Sequence, residues 1–84
     1  MAGLNYQDEL ERLSKMEFSE EKAELSNQLN ELVTIAGGAN SKGLKSGIAE
    51  KMEFGVMKLR SIGASAEADF FEEKRKKIKP KWYQ

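Results

Sequence analysis

From Ser41 to Ile78, apolar side chains recur three or four residues apart: Leu44, Ile48, Met52, Val56, Leu59, Ile62, Ala66 and Phe70. That spacing is the helical period, and it predicts one uninterrupted helix over 41–78. At 1.5 Å per residue such a helix is a rod of roughly 57 Å. The other strong helical segment, Ser19 to Ala36, reaches roughly 26 Å by the same rise. A partner of that length cannot cover the whole stripe, so the pattern predicts that a second copy covers the rest. The expected fold is all-α. It has a short N-terminal helix over 5–17, then an antiparallel helical hairpin of 19–36 and 41–78 with a long second arm. A tail over 79–84 follows, and the single domain assembles into a homo-oligomer.

The chain has 84 residues, one domain at most and near the lower limit for a core without staples. Cysteine and histidine are both absent. Their absence removes disulfides, thiolate metal sites, the usual general base and the near-neutral pH switch. No apolar run approaches the roughly 18 residues of a membrane span. The opening Met1-Ala2-Gly3-Leu4-Asn5 does not read as a signal peptide. The expectation is a cytoplasmic protein with no metal, cofactor or membrane contact.

A zero net charge conceals a gradient. Residues 1–36 hold eight acids and three bases, whereas residues 72–84 hold six bases and two acids. Such a dipolar chain favours head-to-tail or antiparallel packing of copies. A basic end alone would point to nucleic acid, but the acidic front argues against duplex binding.

Local signals divide the chain. Asn5 can cap the first helix, whose stripe is Tyr6, Leu10 and Leu13 with Met16 alongside. Ser19 reads as the cap of the second helix, with Phe18 stapling onto Ala23. Leu25, Leu29, Leu32 and Ala36 form its stripe, and Gly37-Gly38 ends it through a left-handed turn. Ser41 or Ser46 caps the long helix, and Pro80 ends it.

Four glycines, at 43, 47, 55 and 63, fall inside that predicted helix. Each costs about 1 kcal/mol against alanine, so close helix approach or a ligand-facing backbone should offset them. Gly43 and Gly63 lie in different directions on a straight helix, which predicts an oligomer larger than a dimer. The cluster from Lys74 to Lys79 suits a helix C-terminus, with an anion or nucleic-acid contact as the alternative. Trp82 and Tyr83 read as a tail docking on a neighbouring subunit, or as stacking residues.

Enzyme chemistry finds little support: the serines lack a histidine, and the carboxylates lie on a solvated face. The segment Gly38 to Ser46 fails as a P-loop, because an extra residue precedes the Lys-Ser pair and no strand leads into it. A glycine-rich turn into a helix N-terminus, with Lys42 and Lys45 nearby, still suits a phosphate. The plain alternative is a connector. Tyr6 is either half-buried core or a face for a nucleobase. Lys22, among Glu20, Glu21 and Glu24, is either a local helix partner or a phosphate contact.

The stretch Lys45-Ser46-Gly47-Ile48-Ala49-Glu50-Lys51-Met52-Glu53-Phe54-Gly55-Val56-Met57 resembles the signature of a phage helical-hairpin family. In that family a Lys-Ser pair opens a long helix, followed by a Lys-Leu-Glu-like triplet, a small residue and a methionine. Lys45-Ser46, Lys51-Met52-Glu53, Gly55 and Met57 match in order and spacing. Lys58 stands where the family usually has tryptophan, and Gly43 or Leu44 where it often has arginine. The family includes anti-CBASS sponges, related to anti-Thoeris ones, that sequester cyclic nucleotide signals without cleaving them. The resemblance implies a helical homo-oligomer, typically a hexamer, with a cyclic oligonucleotide as ligand. It also implies that Tyr6 stacks a base and Lys22 holds a phosphate, with Arg60 and Asn5 as candidates for a second site.

The function expected is therefore non-enzymatic sequestration of cyclic di- or trinucleotides at subunit interfaces, in the host cytoplasm if the protein is viral. The alternatives are a small helical adaptor or inhibitor that binds a protein partner, and a structural coiled-coil piece of a larger assembly.

Overall fold

The computed structural model describes residues 6–39 and 41–78, without the side chains of Tyr6 and Lys42. Asn5, Asn40 and the tail 79–84 lie outside the described residues. The described chain is all-helical: α1 (Tyr6–Lys15), α2 (Lys22–Gly37), α3 (Lys42–Ser61) and α4 (Ser65–Ile78).

The predicted 41–78 rod is two helices, and the break lies at Gly63. Its φ of 87° is one that L side chains rarely adopt. The Gly63 N–H donates to the Arg60 carbonyl at 3.1 Å, and the Ala64 N–H to the Leu59 carbonyl at 2.8 Å. This pair of bonds is a Schellman turn, and Leu59 and Ala64 supply its apolar contact, both being buried. Beyond the turn, α4 folds back along α3. The longest dimension of the molecule is 41 Å, too short for the expected rod.

The reversal shifts the buried stripe. Leu44, Ile48, Met52, Val56 and Leu59 are buried as the spacing predicts. Past the turn the core takes Ala64, Ala68 and Phe71, while Ile62, Ala66 and Phe70 are exposed. Because α1, α2 and α4 all pack on α3, the chain covers its own long stripe. The geometric reason for a second copy therefore disappears. The argument from glycine directions also fails, since Gly63 sits in a turn rather than on a helix face.

Paired contacts fix the helix directions. Leu29 of α2 lies against Gly55, and Ala36 and Gly37 share a cleft with Lys45, so α2 and α3 are antiparallel. Lys22–Glu67 at one end and Val33 with Ile78 at the other make α2 and α4 parallel. α1 runs in the direction of α3, with Leu10 beside Gly47 and the Met16 carbonyl near the Lys51 ammonium.

The helix ends differ from several expectations. Ser41 does cap α3, its hydroxyl accepting from the Leu44 N–H at 3.0 Å. Ser46 lies inside α3. Ser19 does not cap α2: its hydroxyl accepts from the Glu21 N–H in a short turn, and α2 begins at Lys22 without a side-chain cap. Ala23 is exposed, so no staple forms there. Phe18 lies instead beside Gly55. Gly38 closes α2 at φ −101°, and the left-handed conformation expected at Gly37-Gly38 occurs at Gly63.

Gly55 is where two elements approach most closely. A Cβ there would stand 2.7 Å from Leu29 Cδ2 and 3.0 Å from Phe18 Cε1. At Gly47 the nearest atom, Leu10 Cδ2, would be an ordinary 3.8 Å away. The close-approach reading holds for Gly55 and explains the helix-weakening residue there.

Two substitutions test this architecture. Gly63→Ala should destabilise by about 1–2 kcal/mol, the cost of a left-handed L-residue. Thermal unfolding reads this as a fall of about 4–8 °C per kcal/mol. A continuous helix predicts the opposite sign, a gain of about 1 kcal/mol. Gly55→Leu should cost about 1–3 kcal/mol by overpacking. A lower urea midpoint confirms that cost, and a raised one would show the site to be open.

Candidate functional site

Where α2 ends, α3 begins and α4 ends, the three helices leave a cleft of about 270 Å³. Val33, Ala36 and Ile78 give it apolar walls, and the side chains of Lys45, Lys74 and Lys77 also line it, the Lys74 ammonium lying 5.2 Å from the centre of the Phe70 ring. Lys74 and Lys77 are what the negative C-terminal end of α4 calls for. Lys45 is different. It lies in the first turns of α3, which carry no acid, where the helix dipole is already positive and disfavours a cation. The carbonyl ends of α2 and α4 lie at the same end of the bundle and offset part of that field. An apolar floor lined by lysines suits a ligand combining an anionic group with a ring.

The residues expected from sequence do not converge. α1 begins at the α3 N-terminal end of the bundle, so the backbone of Tyr6 lies towards the lysine cleft. Lys22 is at the opposite end, its ammonium 3.2 Å from Glu67. One chain therefore does not bring Tyr6 and Lys22 together. Arg60 is also at that far end, 3.1 Å from Asp69. Both cations tie the start of α4 to its neighbours. Lys45 belongs to the cleft. Lys42 starts the same helix, and Asn5 is outside the described residues.

Lys74 and Lys77 join the site although the sequence reading gave them first to the helix end. The signal that could have found them is Gly63 as a helix stop, because only a reversed α4 carries residues 74–78 back to Lys45.

Two other lysines are structural. Lys58 donates to the Phe18 carbonyl at 2.8 Å and Lys51 to the Met16 carbonyl at 3.5 Å. They hold the α1–α2 connection against α3. Arg12 and Glu31, 2.6 Å apart, link α1 to α2.

On α4, Arg75 forms a two-pronged ion pair with Glu72, at 2.6 and 3.0 Å. The Arg75 hydrogen bonds hold the Glu72 carboxyl below its ordinary value, against the opposing effect of burial, with further help from the charges of Arg75, Lys76 and Arg60. Glu67 is also lowered, first by a backbone hydrogen bond at Glu67 itself and then by the Lys22 ammonium.

Among the described residues, no group of acids is arranged to hold a metal ion, and no helix is long and apolar enough to cross a membrane. No family model, curated protein or solved structure matches this chain.

The lowered Glu72 sets a pH dependence. A carboxyl whose pKa is lower folded than unfolded stabilises the fold above the unfolded value, taken as 4.5. That contribution is lost as pH falls through the lower folded value. Stability should therefore drop on acidification below about pH 4.5, and Glu72→Gln should flatten part of the drop. Urea midpoints across the acid range check this. An unchanged acid limb in the variant would remove Glu72 from the account.

Proposed function

We propose that the chain is a non-enzymatic phage immune-evasion protein. It captures a cyclic di- or trinucleotide messenger without cleaving it and so withdraws the messenger from host signalling. The observation that supports this reading is the lysine cleft. It gathers Lys45, from the signature-like Lys45-Ser46 pair, with Lys74 and Lys77 over an apolar floor. Capture without chemistry needs cations for phosphate and apolar or aromatic faces for bases. Histidine and cysteine, the most versatile catalytic side chains, are absent from the sequence.

At about 270 Å³, the cleft lies just below the roughly 300 Å³ at which pockets begin to enclose drug-sized ligands. It takes one phosphate-bearing arm of the messenger. The remainder is held where copies of the chain meet, as the resemblance implies, in an assembly that on the same ground is a hexamer. Tyr6, on the helix that begins at this end, is the residue proposed to stack a base, as the resemblance implies. A second reading, a helical adaptor that binds another protein, draws on the exposed Phe54 and Met57.

Calorimetric titration against a panel of cyclic di- and trinucleotides, with the recovered ligand checked for integrity, tests the proposal. Binding with intact recovery is expected. Lys45→Glu should weaken it by about 1.5–3 kcal/mol, the usual worth of a hydrogen bond to a charged group, and lessen its salt dependence. Tyr6→Ala should cost on the order of 1–3 kcal/mol if the ring stacks a base. Lys22→Glu, at the opposite end, should leave affinity near wild type. The reverse ranking of the two lysines would move the phosphate to the Lys22 end. No binding by the wild-type chain across the panel rejects the sponge reading.

A further inference from the structure

A second hollow, of about 200 Å³, lies between α1 and α3. Leu10, Leu13 and Phe54 give it apolar walls, and Gly47 adds no side chain to its floor. Glu50 and Lys51 both line it, one acid and one base. The Lys51 ammonium lies 3.5 Å from the Met16 carbonyl, and the Ser14 hydroxyl donates to the Glu11 carbonyl of its own helix. Phe54 is left 58% exposed. The volume falls below the roughly 300 Å³ of drug-sized pockets, a seat for one large side chain rather than for a small molecule.

The sequence that follows α4 supplies such a side chain. α4 ends at Ile78, which lines the lysine cleft together with Lys45. Lys45 is two residues from Gly47 in the floor of the hollow. Lys79-Pro80-Lys81-Trp82 comes next in the sequence. Proline does not continue a helix, and the residue before it favours an extended backbone. Four extended residues reach at most about 14 Å, against about 10–12 Å for the width of a helix to be crossed.

The face to be crossed carries acids. Gly55 faces Leu29 of α2, so Glu53 and Met57, two residues to either side of it, lie on the face of α3 turned away from α2. Glu50 stands about one turn before Glu53, and both acids are exposed. With Lys51 counted, Glu50 and Glu53 leave one negative charge, and Lys79 and Lys81 bring two positive ones.

We propose that residues 79–82 strap across the outer face of α3 of their own chain and seat Trp82 in the Leu10–Leu13–Phe54 hollow. Lys79 and Lys81 pass Glu50 and Glu53, and the indole lies beside Lys51, whose ammonium attracts an aromatic face. Burial of the indole against Phe54 and two leucines drives the contact, and the charge match sets the path of the strap. The strap covers the apolar edge that Phe54 otherwise leaves open, so a protein that uses this face has to displace it. This inference goes beyond the ligand reading. Its test contains no nucleotide, so either can fail without the other.

Trp82 is the single tryptophan of the chain, so its fluorescence in the full chain reads the contact. Wild-type emission should be blue-shifted from that of free tryptophan amide and several-fold less open to acrylamide quenching, equally at nanomolar and micromolar concentration. Gly47→Leu, which fills the floor, and Phe54→Ser, which removes a wall, should each shift emission to the red and raise quenching towards the free value. Glu50→Lys should do so in part, and adding Lys81→Glu in the same chain should reverse it. Circular dichroism should show unchanged helicity in these variants. Wild-type emission like that of the free amide overturns the inference and leaves the hollow to a foreign partner. Protection that rises with concentration overturns it too, by assigning the contact to another copy. Protection that survives both Gly47→Leu and Phe54→Ser puts Trp82 elsewhere and equally rejects it.

Discussion

The chain reversal at Gly63 governs the rest of the structure. Two main-chain hydrogen bonds close the end of α3 there, and a φ of 87° makes that closure natural for glycine. Once the chain turns, Ala64, Ala68 and Phe71 enter the core. Full burial of a phenylalanine contributes about 1.5–3 kcal/mol. An exposed ion pair such as Arg60–Asp69 adds about 0–1 kcal/mol. Apolar burial therefore holds α4 in place, while Arg60–Asp69 and Lys22–Glu67 set where it starts. Without the turn, α3 and α4 would form one rod whose stripe outran α2.

The same reversal turns a charge gradient along the chain into a spatial arrangement. α4 returns its lysines to the end of the bundle where α3 begins, and the cleft of Lys45, Lys74 and Lys77 exists only because of it. At the other end, the acidic first turn of α4 meets Lys22. The two candidate residues that looked adjacent in purpose, Tyr6 and Lys22, are thereby separated by the length of the bundle. One chain does not bring them to a common site, whereas the residues lining the lysine cleft all come from one chain.

Much of this fold is legible in the residues. Steps of three and four identify the buried faces of α2 and α3 correctly, because both helices keep one phase against one core. Ser41 caps as its position before the run implies. The reading fails where periodicity carries on through a turn by coincidence. Ile62, Ala66 and Phe70 continue the spacing of α3, so Gly63 looks like a tolerated helical glycine. Whether a glycine interrupts a helix or ends it depends on where the following residues find a core, and that is a tertiary matter. Phe70 and Phe71 show the consequence. Adjacent in sequence, they exchange expected roles once the helix restarts. Of the site, Lys45 is legible from its place at a helix start. Lys74 and Lys77 are not, since their second role depends on the turn.

Lys74 stands between two environments. Its side chain lines the lysine cleft, and its ammonium lies over the Phe70 ring. The ring attracts that ammonium through its quadrupole, whereas an anion entering the cleft would attract it by full charge and hydrogen bonding. An anion in the cleft would therefore draw Lys74 off Phe70 and leave that exposed ring without its cation.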